Sequence, residues 1–133
     1  MRILNFGSCN LDYVYDLDHI VVRGETLSSG SSEFFPGGKG LYQSIAVEKA
    51  VGKVFHAGCI EADGNQLETE LKTNGVDVTY LKKLLGEKTG HAIVQRSKDG
   101  ENAIVLYSGY NGLISLPFAD EVLGAFTKRE NKS

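Results

Sequence analysis

The sequence predicts an α/β fold: a partial Rossmann-like parallel sheet with helices, joined by further antiparallel strands. Three observations predict it. An apolar run in Met1 to Cys9, a helical stretch after Lys39 and a second apolar run in Lys53 to Ile60 follow in that order, and strand, helix, strand is the signal of a parallel sheet. The mouth of that helix reads Gly37-Gly38-Lys39-Gly40. Two β-type runs, His91 to Arg96 and Ala103 to Tyr107, flank Lys98-Asp99-Gly100-Glu101, and Asp-Gly between such runs is a strong hairpin signal.

Each element follows from local residues. Ile3, Leu4 and Phe6 before Gly7-Ser8 read as a buried strand entering a turn. Tyr13 to Ile20 mixes aromatic and β-branched residues with acids and reads as a second strand, less buried than the first. Leu27 to Phe35 reads as an exposed strand paired with it across Arg23-Gly24-Glu25. The helix after Lys39 places Leu41, Ile45, Ala46, Ala50 and Val51 near a helical period. After the core strand Lys53 to Ile60, Asp63-Gly64 opens a helix with Leu67 and Leu71 one turn apart, and Gly75 stops it. Val76 to Leu81 reads as a short strand. Ser115 to Phe126 reads as a last helix, with Ser115 as cap, Pro117 in the first turn and Val122, Leu123 and Phe126 as its apolar side. Lys128 to Ser133 reads as a polar tail. No repeat or linker interrupts residues 1–133, which read as one α/β domain.

Composition narrows the function. The 133 residues are 41% apolar and 23% charged, ordinary for a soluble globular domain. Fourteen basic against 17 acidic residues give a net charge of −3, so neither nucleic acid nor an anionic membrane is an expected partner. No apolar run approaches the length of a membrane span, and no signal peptide is visible. Cys9 and Cys59 lie in apolar runs without a CxxC pattern and read as reduced thiols of a cytoplasmic protein. His19, His56 and His91 form no zinc-ligand spacing.

The Gly37–Gly40 corner is the one stretch suited to an oxygen-rich ligand. Glycine lets a ligand approach the main chain, the helix N-terminus offers unpaired N–H groups, and Lys39 adds a charge with three donors. A plain helix-starting turn explains the same residues. It is not a P-loop, because Glu33 stands where the first glycine is required and Gly40 where Ser or Thr is. A dinucleotide fingerprint from Gly38 would need a glycine where Gln43 stands, and no Gly-x-Ser-x-Gly elbow is present.

Several weak motifs, in order, resemble the N-terminal part of the ribokinase-like (PfkB) carbohydrate kinases. They are Gly7-Ser8-Cys9-Asn10-Leu11-Asp12, Arg23-Gly24-Glu25-Thr26, and Gly37-Gly38-Lys39-Gly40 with Gln43 and Ala46. Gly64, Leu67, Leu71 and Gly75-Val76-Asp77 follow, then Thr89-Gly90, Gly100-Glu101-Asn102 and Gly109-Tyr110-Asn111. The resemblance covers nearly all of this chain and less than half of the family's usual length.

The resemblance implies a truncated ribokinase-like fold in which segments of about 13–35 and 91–107 form a small sheet that is a lid over the sugar site and joins two subunits. It implies that Asn10, Asp12, Gly38 and Lys39 contact a sugar or nucleoside. Turn chemistry is the competing reading for Asn10 and Asp12, since both side chains readily bond their own backbone. Tyr42 stands where the family signature has a sugar-contacting asparagine, and its single hydroxyl replaces an amide's donor and acceptor. ATP and magnesium are implied for the intact family, with no cofactor held by this chain. The family's nucleotide site, Gly-rich anion hole and catalytic aspartate have no counterpart here, so no catalytic residue is named. The expectation is an inactive sugar-binding part, or alternatively a non-catalytic binding or dimerisation module, with an open sheet edge and uncovered apolar surface.

Overall fold

A computed structural model describes residues 1–132, and side-chain surroundings through Lys128. The strands are β1 (Ile3–Phe6), β2 (Asn10–Leu17), β3 (Ser31–Gly37), β4 (Val54–Ile60), β5 (Leu81–Lys83), β6 (His91–Ser97) and β7 (Asn102–Tyr107). The helices are α1 (Lys39–Val51), α2 (Asn65–Thr73) and α3 (Leu116–Lys132). β1, β4 and β5 form a parallel sheet in the order β1-β4-β5. The other four strands form a second sheet, β3-β2-β6-β7. Its hairpins β2–β3 and β6–β7 are antiparallel, and β2 and β6 join them in parallel. The mixed α/β architecture with a parallel sheet and a small second sheet is therefore the one the sequence predicts. None of the helices described is long and apolar enough to cross a membrane.

The central strand explains the layering. All seven residues of β4 are buried. Alternate residues of a strand point to opposite faces. Val54 and Ile60 accordingly join a cluster with Leu41 and Ile45 of α1 and Leu67 and Leu71 of α2. Ala57 and Cys59 join Phe118 and Val122 of α3 and Tyr110 on the other face. Each fully buried leucine here contributes roughly 1.5–3 kcal/mol. α2 ends where Gly75, at φ 84°, turns the chain. The Gly75 and Val76 N–H groups donate to the Lys72 and Leu71 carbonyls, each at 3.0 Å, which is the Schellman closure that the glycine allows.

Five details differ from the sequence reading. β1 is only half-buried, because it is an outer strand of its sheet, whereas β2 buries Leu11, Val14 and Leu17. β2 starts at Asn10 and ends at Leu17, and β3 is Ser31–Gly37, so cross-strand pairing recruits residues that look like turn formers. On α1 the buried side is Gly40, Leu41, Ser44 and Ile45, while Ala46, Ala50 and Val51 face out. Val76 to Tyr80 is not a strand, and β5 begins only at Leu81. Asp77 forms a single bridge with Phe55, then its carboxylate takes the Thr79 N–H (2.8 Å) and hydroxyl (2.5 Å) and turns the chain. The polar residues from Lys128 continue α3 to Lys132 instead of forming a tail. Ser115 stands at the helix start, where its carbonyl takes the Ala119 N–H at 2.9 Å.

Apolar surface is left open as expected, at Leu113, Leu116 and Leu123 and along β7. The turn after β1 is packed against α1 backbone to backbone. A Cβ on Gly40 would lie within 2.5 Å of the Gly7 carbonyl carbon and the Ser8 nitrogen. Gly40→Ala therefore forces backbone movement, and chemical denaturation should show a loss of about 1–3 kcal/mol, typical of overpacking.

Candidate functional site

Two loops meet at the junction of the sheets. The first leaves β1 through Gly7, Ser8 and Cys9 into β2. The second leaves β3 through Gly37 and Gly38 into α1. Gly38 sits at φ 101°, a conformation that favours glycine, and a side chain there would strike the Ser8 carbonyl. The Leu41 N–H of the first helical turn donates to that carbonyl at 3.1 Å. Asn10 pairs with Gly37 and Asp12 with Phe35 across the hairpin.

The candidate residues form two groups that share Gly38. Asn10, Asp12 and Gly38 are in contact with the loop junction. The Asp12 carboxylate lies directly over Gly37, where a Cβ would be 2.5 Å from Oδ2. Gly38, Lys39, Tyr42 and Gln43 line an open concavity of about 810 Å³ on the outer side of the corner. Lys39 is exposed and forms no ion pair among the described residues. Tyr42 is 54% exposed, but its hydroxyl already donates to the Pro36 carbonyl at 2.6 Å. That bond braces the corner, with the ring alongside the concavity.

Asn111 is a participant that the sequence did not single out for a role. Its Oδ1 accepts the Cys9 N–H at 3.1 Å, and its Nδ2 donates to Asn10 Oδ1 at 2.6 Å. The side chain fixes Asn10 from a turn 101 residues away. Gly90 makes room for this pair, since a Cβ there would meet both amides. Only the motif Gly109-Tyr110-Asn111 marked the position beforehand.

The four-stranded sheet gives the junction one particular face. Strand alternation puts Asn10, Asp12, Val14 and Asp16 together, with Ala92 and Val94 of β6 and Ile104 and Leu106 of β7. Arg96 bonds Asp16 at 2.7 Å and lies 3.6 Å from Glu33, closing the far end of this face with charge. The opposite face carries an aromatic row, Phe34, Tyr13, His91 and Tyr107, with successive centroids 5.0, 6.2 and 5.1 Å apart. A depression of about 700 Å³ beside His91 and Tyr107 belongs to that opposite face and shares no residue with the candidates.

Electrostatics distinguish Asp12. Burial raises its carboxyl pKa above the ordinary value. The folded state therefore holds the proton to higher pH than the unfolded chain. Stability falls as pH rises from the ordinary carboxylate range through the raised value. Asp12→Asn should raise the thermal midpoint near neutral pH, with the gain vanishing below the ordinary carboxylate range, as paired melts across pH would show.

Comparisons with known proteins fit this geometry. The family model described as pfkB family carbohydrate kinase matches residues 2–130. The chain is 35% identical over 111 residues to a ribokinase of Haemophilus influenzae, covering 82% of this chain and 36% of that one. It is 32% identical over 129 residues to a ribokinase of Bacillus subtilis, covering 96% and 44%. A ribokinase from Cryptococcus neoformans, solved in complex with ADP, superposes with TM-score 0.75 at 43% identity, over 82% of this chain and 34% of that one. An Arabidopsis thaliana ribokinase complexed with ribose and ATP superposes with TM-score 0.74 at 29% identity, over 83% and 36%. The chain thus spans between about a third and under half of the length of these relatives. With the match running through both glycine loops and both sheets, the chain belongs to the pfkB family of carbohydrate kinases.

Proposed function

We propose that this chain is the sugar-side part of an ATP-dependent carbohydrate kinase. A ribose-class sugar, free or in a nucleoside, is held by Asn10 and Asp12 from the strand side and by Gly38 and Lys39 from the helix side. The observation that carries this reading is the meeting of the two loops, with the half-buried Asp12 carboxylate over Gly37, and at the helix N-terminus a lysine that forms no ion pair among the described residues. A polyol needs several fixed donors and acceptors, and an aspartate accepts from two hydroxyls at once. The ribose and ATP bound to the Arabidopsis thaliana relative support the ligand class.

Phosphoryl transfer needs the nucleotide phosphates, a metal ion and a placed base. The relatives contain a length of chain that this one does not match. This polypeptide by itself binds sugar without turning over ATP, and ATP with magnesium act in the intact assembly. Two buried free thiols, Cys9 and Cys59, support a reducing, cytoplasmic setting.

Titration calorimetry against ribose, other sugars and nucleosides tests the site. Ribose-class binding is expected, weakened about tenfold by Lys39→Ala through loss of a charge-assisted hydrogen bond. Sugar-dependent ADP release by the pure chain, or affinity indifferent to Lys39, refutes the reading.

The second reading, a module that dimerises through its sheet, has its own observation. On the Asp12 face Phe35, Ile104 and Leu106 are 41%, 56% and 70% exposed. Exposed apolar patches mark interaction surfaces. A homodimer formed through this sheet would cover them and roof the sugar site. Leu106→Lys should convert a dimer to a monomer in sedimentation at micromolar concentration, and a parent chain that is already monomeric there excludes the dimer.

A further inference from the structure

Beneath the two loops lies a buried polar chain that neither the sugar contacts nor the hydrophobic clusters account for. His56, in the middle of β4, is 0% exposed. Its Nδ1 is 2.7 Å from Ser44 Oγ on α1. Its Nε2 is 3.1 Å from the Gly7 carbonyl and 3.2 Å from Cys9 Sγ, both in the turn after β1. Asn5 Nδ2, on β1, donates to Ser44 Oγ at 2.9 Å and to the Gly40 carbonyl at 3.1 Å. One imidazole therefore touches the loop that leads to Asn10 and Asp12 and the helix that starts at Gly38 and Lys39.

We infer that His56, as the neutral Nε2–H tautomer, is a positioning residue that registers the Gly7–Cys9 turn against the Gly38–Leu41 corner. This rests on the sugar-site reading only for its consequence in binding.

The tautomer follows from the partners. A carbonyl oxygen only accepts, so Nε2 carries the proton it donates to Gly7 and shares with the Cys9 sulfur. Nδ1 is then bare and accepts the Ser44 hydroxyl proton. Ser44 Oγ in turn accepts from Asn5, whose second amide proton goes to Gly40. Every N–H and O–H proton in the chain has a place, and the chain ends on the backbone of both loops. Gly58 leaves room for the ring, since a Cβ there would approach Nε2 to 3.2 Å.

A second proton disturbs this order. With Nδ1 protonated, Ser44 would have to turn its hydroxyl proton away from the ring, and the charge would be buried. The titratable group facing the ring is Cys9 from the turn, with Cys59 of β4 near it, while Ser44 from α1 and Asn5 from β1 are neutral. Burial pushes Cys9 up to about 12, so it stays a thiol and offers no counter-charge. Burial likewise holds His56 down to about 4, so the neutral ring persists through the physiological range.

Nitrogen-15 NMR of the full chain tests the assignment without any sugar. Long-range imidazole correlations should show His56 as the Nε2–H tautomer at neutral pH. On acidification, the amide resonances of Ser8, Cys9, Gly40 and Leu41 should move with the His56 midpoint and not with that of His19. Ser44→Ala should shift the same amides with far-UV circular dichroism unchanged, and should weaken ribose binding about tenfold, as expected when a buried partner is lost. An Nδ1–H tautomer, or loop amides indifferent to Ser44→Ala, overturns the proposal whatever the ligand. A parent chain that shows the tautomer and the coupled shifts but binds no sugar sinks the functional reading and leaves the positioning role established.

Discussion

The approach of Gly7 to Gly40 is the constraint on which the rest depends. Two backbones touch there with no side chain between them. The parallel sheet contributes Gly7 through β1, and the four-stranded sheet leads into Gly40 through β3 and the first turn of α1. Both sheets are thus anchored at one point, and the polar residues on either side of it inherit fixed positions. Asn10 and Asp12 leave one side of the contact, and Gly38 and Lys39 leave the other. A binding site assembled from short turns keeps its geometry only with that kind of rigidity, because a ligand then meets its partners without the loops reordering around it.

The contact is reinforced by two side chains from distant parts of the sequence. Asn111 bonds the turn from above through Cys9 and Asn10. His56 bonds it from below through Gly7 and Cys9. Both are polar groups buried or half-buried with their hydrogen bonds satisfied, which is the condition for such groups to stabilise a fold and not strain it. The Asn111 amide and the imidazole tie the loop backbone to the core. The hydrophobic layers on the two faces of β4 then need only hold the strands, not the site.

Much of this was legible in the residues. The largely apolar run of β4, interrupted only by His56 and Gly58, the Asp99-Gly100 hairpin and the Gly75 stop each act through local physics, and each stands where the sequence placed it. The errors fall where tertiary contact outweighs local preference. Asn10 and Asp12 have turn chemistry but are strand residues, because Gly37 and Phe35 pair with them. Ala46 and Ala50 are apolar but small, and the helix instead turns Gly40 and Ser44 inward, toward the glycine contact and the imidazole. The candidate residues were found by motif, whereas Asn111 and His56 act on the turn across 102 and 49 positions, and no spacing rule reaches that far.

The seam between β2 and β6 has a consequence for how the chain is made. β2 and β3 form a hairpin within the first 37 residues, and β6 and β7 form another within residues 91–107. The parallel ladder between them joins residues about 80 apart, such as Leu11 and His91. Closing so large a loop is slow compared with zipping a hairpin. On the ribosome the first hairpin emerges well before its partner, with the inner edge of β2 unpaired. Until β6 follows, that edge stays open to a neighbouring nascent chain, so the interval between the two hairpins is the stage at which this chain is most exposed to edge-to-edge association.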